Sequence, residues 1–447
     1  MIRQTVFGFK IEKTEETLTA HGGLALFAEY NHGLGLRDLA NQYLPAPGSN
    51  RGYTASAFVD SLVLMLQGGG RRLEDVRELR QESPLLSLID RTEIPDADTI
   101  GDWLRRMGDP KTGRKGFVGL GSVRDILNHR ILKRDARTDY TLDVDAMQVA
   151  AEKNDAHYTY KGEKGYMPLL GFLFEPALCL MDEFREGNAS PAAGHVAFYH
   201  ACKSCMPQGK RIARYRADSA SYQASEINAL EQDDVLWTIT ADQDSAIKQI
   251  ISALPADAWK TPYRGCDYEL AEAVHTMNET KKAFRLVIKR ELRRQRDLFD
   301  ADGTDGVYHY HVVATNWAAD KQDGKETKSA HEVLQWHNQR GQAENFNKEL
   351  KYGFGQNQMP CGESYANAVY FRIGVIAYNL FLGFKRLSSL AAWSHQTIAS
   401  FRWKLIQIAG RIVRHANRTI LKLAVDDEKL SLIERIRQCC YETSLAT

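Results

Sequence analysis

The sequence predicts an α/β protein: a mixed sheet flanked by helices, interrupted by a β-rich insertion, with helical N- and C-terminal regions. Three observations predict it. Between residues 140 and 240, short alternating and apolar runs follow the order three strands, helix, strand, helix, strand, the pattern of a mixed sheet. Before residue 135 and after residue 330, apolar residues recur instead at steps of three and four. Between 242 and 329, three β-like runs are joined by polar linkers such as Asp302-Gly303-Thr304-Asp305-Gly306. The expected divisions are 1–135, 136–241, 242–329, 330–385 and 386–447.

Each element has a local cause. Ala55, Phe58, Val59, Leu62, Val63 and Leu66 form a helical stripe that stops at Gly68-Gly69-Gly70, and Leu73, Val76 and Leu79 begin another. After Pro95, Asp98 or Thr99 is the expected cap of a helix carrying Ile100, Trp103, Leu104 and Met107, with Arg105 and Arg106 beside them. Such helices suit either a helix-turn-helix-like reader of DNA or a plain packing domain. Residues 141–149 alternate, with Leu142, Val144 and Ala146 on one strand face and Asp143, Asp145 and Met147 on the other. Apolar runs at 167–174 and 177–181, broken at Glu175-Pro176, read as a hairpin. A helix over 191–202, a strand over 211–217 ending in Asp218-Ser219, a helix over 225–230 and a strand over 235–240 complete the core. Residues 268–277, 282–289 and 307–315 are the β segments of the insertion. A helix is expected from near Ala330 to about Lys351, followed by helical, increasingly basic sequence.

Composition narrows the class. The chain has 447 residues, 43% apolar and 26% charged, which excludes wholesale disorder, collagen-like repeats and a coiled-coil rod. Seven cysteines, and an N-terminus Met1-Ile2-Arg3-Gln4-Thr5 without an apolar run, lead to the expectation of a cytoplasmic protein. The apolar runs at 58–66 and 374–384 fall short of the ~20 residues that cross a bilayer, so no membrane partner is expected. The net charge is only +1, but the cations cluster. Eight of them against Glu291 occupy 281–296, and six with no acid occupy 401–424. Either run suits DNA phosphates or a solvated face.

Asp145 and Asp218 lie in or at the end of expected strands and Glu344 lies in a later helix, so three carboxylates could meet at one sheet edge. Their oxygens suit a hard cation such as Mg²⁺, which supports phosphoryl transfer when paired. On one continuous helix, His337, Arg340, Glu344, Lys348 and Lys351 would share a stripe of roughly 60°. That stripe is either an exposed ladder of ion pairs, worth tenths of a kcal/mol, or a carboxylate flanked by phosphate-gripping cations.

These residues resemble a known family. His337-x-x-Arg340-x-x-x-Glu344-x-x-x-x-x-x-Lys351, with Gln339-Arg340-Gly341-Gln342-Ala343-Glu344-Asn345 around it, resembles the Y-R-E-K signature of bacterial insertion-sequence DDE transposases. Leu142-Asp143-Val144-Asp145-Ala146 and Arg216-Ala217-Asp218-Ser219 resemble the two aspartate strands, and the element order is similar to that family's RNase H-like core. The resemblance spans about 140–352. It implies a DNA transposase that excises and integrates an insertion sequence by cut-and-paste, with two-metal phosphoryl transfer at terminal inverted repeats. Asp145, Asp218 and Glu344 would be the catalytic metal ligands. Asp145 fits the Asp-small-Thr pattern better, although Met147 replaces the Thr, and Asp143 is the alternative first aspartate. His337 (in the signature Tyr position), Arg340, Lys348 and Lys351 would contact DNA. The cofactor would be Mg²⁺, with Mn²⁺ as a substitute, and the partners double-stranded DNA and a second copy in a homodimer. The rivals are an RNase H-fold nuclease without strand transfer and a catalytically decayed DNA-binding protein.

Three features carry less. Cys202-x-x-Cys205 has zinc spacing but lacks two further ligands, and Gly68-Gly69-Gly70-Arg71-Arg72 is a helix break and no phosphate loop. Trp317 and Trp336 are candidates for stacking an unpaired base or for the core.

Overall fold

The structure is a computed structural model that describes residues 10–49, 51–91, 93–292, 308–319, 326–416 and 418–446. The N-terminal part is helical: α1 (Leu24–Gly33), α2 (Leu36–Tyr43), α3 (Ala55–Gly68), two short helices over Val76–Gln81 and Ser83–Leu88, α4 (Ala97–Gly108) and α5 (Lys115–Lys133). Helix α3 ends where expected, because Gly69 at φ 117° takes the left-handed conformation that closes it. Helix α4 is capped by Asp96, whose side chain accepts from the Thr99 amide, in place of the expected Asp98 or Thr99.

The core follows as β1 (Asp139–Ala146), β2 (Leu169–Leu173), β3 (Leu178–Glu183), α6 (His195–Ser204), β4 (Arg211–Ala217), α7 (Ala224–Gln232), β5 (Leu236–Thr240) and α8 (Ser245–Ala253). β1 pairs antiparallel with β2 and parallel with β4, and β4 pairs parallel with β5. The order β3-β2-β1-β4-β5 is the one an RNase H-like core predicts. The segment expected as an insertion contributes β6 (Tyr268–His275), β7 (Phe284–Leu292) and β8 (Tyr308–Thr315). These extend the same sheet, because β8 pairs antiparallel with β5 through Val313, Ala314 and Thr315. The result is one eight-stranded mixed sheet.

The expected helix over 330–351 is two helices, α9 (Ala330–Asn338) and α10 (Gly341–Lys348), and α10 runs into a wider turn over Glu349–Gly353. Tertiary contact breaks it. Arg216 on β4 donates to the Trp336 carbonyl, and the chain tightens to three-residue turns, Arg340 N to His337 O and Ala343 N to Arg340 O. His337 and Glu344 therefore do not share one straight stripe.

Helix α11 (Ser364–Lys385) is long and apolar enough to cross a membrane, but it is the central helix of the core, buried from Ala366 to Phe384 among α3, α4, α5 and β3. Arg124 of α5 and Arg372 of α11 both hold Asp182 of β3, which joins the helical part to the sheet. Such buried pairs fix geometry more than they add stability.

The C-terminal region is helical in α12 (Asp427–Leu445), which packs on α1. Over 410–423, where helix was expected, it forms a hairpin of β9 (Gly410–His415) and β10 (Arg418–Leu423) that pairs with Leu18–Thr19.

Candidate active site

Parallel pairing places Val144 beside Ala217, so Asp145 and Asp218 leave the carboxyl ends of two adjacent strands side by side. This is where ligands bind in open α/β sheets. Helix α10 brings in the third carboxylate. Its Asn347 is buried and donates from Nδ2 to Asp145 Oδ2 at 2.8 Å, and Glu344 sits one turn earlier on the same face, exposed. Asp218 Oδ1 accepts from the Ala220 amide, which orients the carboxyl at the start of the turn after β4.

The electrostatics single out Asp145. Burial pushes its carboxyl up to about 6; Asp218 and Glu344 push in the same direction, and Arg340 opposes them. A carboxylate that its neighbours raise in this way lacks counter-charge, a condition that a divalent cation relieves. The donor set is all oxygen and so fits a hard ion such as Mg²⁺ or Mn²⁺. Among the described residues no three His, Cys, Asp or Glu side chains lie close enough to chelate an ion by themselves. An ion of this kind commonly takes one or two carboxylates and completes its shell with water and substrate phosphates. The Oδ1 atom of Asn347 is buried without a partner beside Asp145.

Asp143, the alternative first aspartate, has a different role. It is fully buried and holds Arg216 by two bonds, Nε to Oδ1 at 2.7 Å and Nη2 to Oδ2 at 2.9 Å. Burial raises its carboxyl to about 6 against the pull of Arg216. Arg216 also lies between the rings of Phe174 and Trp336 and donates to Gln339 Oε1. The Asp143–Arg216 pair thus fastens the end of α9 to the sheet.

The residues expected on DNA divide. His337 is corrected: it is buried, with Nδ1 on Thr238 Oγ1 at 2.8 Å and Nε2 on Thr240 Oγ1 at 3.0 Å. Burial, with His311, Arg340 and Arg216 nearby, holds it neutral, so it braces α9 on β5 and offers nothing to a phosphate. Lys351 donates from Nζ to the Gln148 carbonyl at 2.7 Å, fixing the loop after β1. Arg340 faces the carboxylates, as its effect on Asp143 and Asp145 records, and Lys348 is exposed. Of the two readings open for Trp317, the structure gives the core, since it is 1% exposed.

The first basic run, where it is described, is matched by acids of the protein itself. Lys282, Arg285, Lys289 and Arg290 pair with Glu231, Glu272, Glu291 and Glu269. Arg293, Arg294 and Arg296 lie outside the described residues. Arg402 of the second run is spent inside the protein on the Leu66, Gln67 and Gly353 carbonyls. Cys202 is fully buried and no metal cluster forms around it among the described residues.

Two residues of this site are not evident from the sequence alone. Arg216 has a signal there: it stands two positions before Asp218 on the face that Asp143 and Asp145 occupy on the next strand. Asn347 has only its place one turn after Glu344.

A solved structure described as piggyBac transposase synaptic complex with hairpin DNA is similar at a TM-score of 0.48 and 10% identity, over 87% of this chain and 80% of that one. No curated protein matches. The sequence profile for the transposase DDE domain group 1 matches residues 8–438, nearly the whole chain. The chain belongs to the DDE transposase domain family, group 1.

Proposed function

We propose that the protein moves a bacterial insertion sequence by cut-and-paste, cleaving double-stranded DNA at terminal inverted repeats and joining the freed ends to target DNA. What supports this reading is that Asp145 and Asp218 leave adjacent strands β1 and β4 side by side, with Asp218 and Glu344 adding negative charge around Asp145 that Arg340 opposes. Two Mg²⁺ ions, or Mn²⁺, held by these carboxylates would polarise the phosphoryl group and supply hydroxide at neutral pH. Asn347 holds the Asp145 carboxyl in place, and Arg340 meets the charge that gathers on the phosphoryl oxygens. Water attacks at the transposon end and the 3′ oxygen leaves as a hydroxyl. That hydroxyl then attacks target DNA and displaces another 3′ oxygen, so each step exchanges one phosphorus–oxygen bond for another. The enzyme works in the cytoplasm as a homodimer that pairs two ends.

The test is cleavage of labelled DNA carrying the repeats that flank the source gene, in Mg²⁺ against Ca²⁺. Asp145→Asn, Asp218→Asn and Glu344→Gln abolish nicking at the repeat boundary while DNA binding persists. Nicking retained in any one of the three removes that residue from the site. Nicking without product joined to a target plasmid overturns strand transfer.

A further inference from the structure

Outside the site, the hairpin of β9 and β10 has an unusual charge arrangement. Its register sets Arg411 opposite Lys422, Val413 opposite Ile420 and His415 opposite Arg418. Alternation places these three pairs on one face, and all of them but Val413 are exposed. The other face carries Ile412 and Leu421 inward, with Ile412 7% exposed. Like charges directly opposite one another destabilise a strand pair. On β7 the described cations are matched by carboxylates, but here the one ion pair among the described residues is Arg411 with Glu16, half-exposed at 3.2 Å. Protection of an edge strand accounts for a single lysine such as Lys422 on β10. It does not account for Arg418 as well, or for Arg411 on the inner strand β9.

We propose that this outer face is a DNA-backbone-binding surface, with Arg411 and Lys422 on phosphates at one side of a groove and Arg418, beside His415, on phosphates at the other. Arg411 and His415 are four positions apart, so the two cross-strand pairs stand about 14 Å apart, against a major groove about 12 Å wide that admits a two-stranded ribbon. Val413 and Ile420 lie between them, and Ile420 is 40% exposed. The phosphates supply the counter-charge that the hairpin lacks, and the surface reads no sequence. The proposal rests on the DNA-transposing reading above, and the experiment separates the two.

The experiment measures binding of full-length protein to a labelled duplex against salt concentration, for wild type, Asp218→Asn and the triple variant Arg411→Gln, Lys422→Gln and Arg418→Gln. Each phosphate that no longer meets a cation lowers the slope of log affinity on log salt by about 0.9, so the triple variant loses two to three units of slope and roughly a hundredfold in affinity near physiological salt. Asp218→Asn binds as wild type does, and the triple variant stays folded at the assay temperature, because the exposed Arg411–Glu16 pair it loses contributes little and the Arg411–Lys422 repulsion goes with it. Unchanged slope and affinity in the triple variant overturns the surface and leaves the catalytic reading standing. A wild type that binds no DNA overturns both. As a second measurement, a photo-crosslinker on Ile420→Cys, compared with wild type treated alike, attaches to the duplex; absence of adduct while DNA is bound counts against the surface.

Discussion

Asp143 and Asp145 stand two residues apart, about 7 Å along the same face of β1, and meet opposite fates. Asp143 is sealed in the interior with a guanidinium that takes both its oxygens and lies between two aromatic rings. Asp145, at the strand end, keeps one amide donor and faces two further carboxylates. Burial raises both to about 6, so desolvation alone does not distinguish them. The difference lies in compensation: Asp143 is paired with a guanidinium, whereas Asp145 is set against further carboxylates.

The largest way to break that contrast is to strip Asp143 of its partner. Arg216→Met leaves a buried carboxylate unpaired and costs about 3–5 kcal/mol in urea unfolding. Adding Asp143→Leu recovers most of the loss, and a double variant as unstable as the single one would mean that Arg216 acts mainly through α9.

Glu226 sharpens the contrast from another side, as a fully buried carboxylate outside the site with no well-aligned partner among the described residues. Burial pushes it to about 7, above its ordinary 4.5, with the Tyr215 hydroxyl pulling back. A raised folded pKa favours the fold below about pH 4.5 and loses that contribution as the pH rises through 7. Glu226→Gln therefore matches wild type in thermal melts at pH 4 and exceeds it by up to about 3 kcal/mol at pH 8. Equal stability at both pH values would mean that Glu226 is solvated.

The smallest effect tests how Asp145 is held. Asn347→Ala removes its amide donor without removing a carboxylate, and lowers cleavage by about 10–100-fold, the usual loss when a group that orients a metal ligand is deleted. DNA affinity stays unchanged in a filter-binding assay.

Much of this is legible along the chain. Residues 211–217 alternate and form β4 over the same residues, and Gly68-Gly69-Gly70 ends α3, because alternation and glycine's access to positive φ are local properties. The hairpin at 410–423 departs from the helix expected there although its signals are present: Ile412, Val413, Thr419 and Ile420 are β-branched, and Asn417 marks a turn. Basic residues on both sides of the turn mask the alternation. The break between α9 and α10 has Gly341 as its one local signal within residues 330–351, and the contact that accompanies it comes from Arg216, 120 residues from Trp336.

The sequence by itself determined the order of strands and helices from residue 139 to 315 and the position of Asp145 and Asp218 at strand ends, since period and propensity act between near neighbours. The tertiary structure alone decided which aspartate is neutralised, that His337 is interior, and which cations keep no acidic partner. Those outcomes depend on charges and dipoles that meet across 73 to 202 residues of chain, where the low dielectric of the interior makes pairing or its absence decisive.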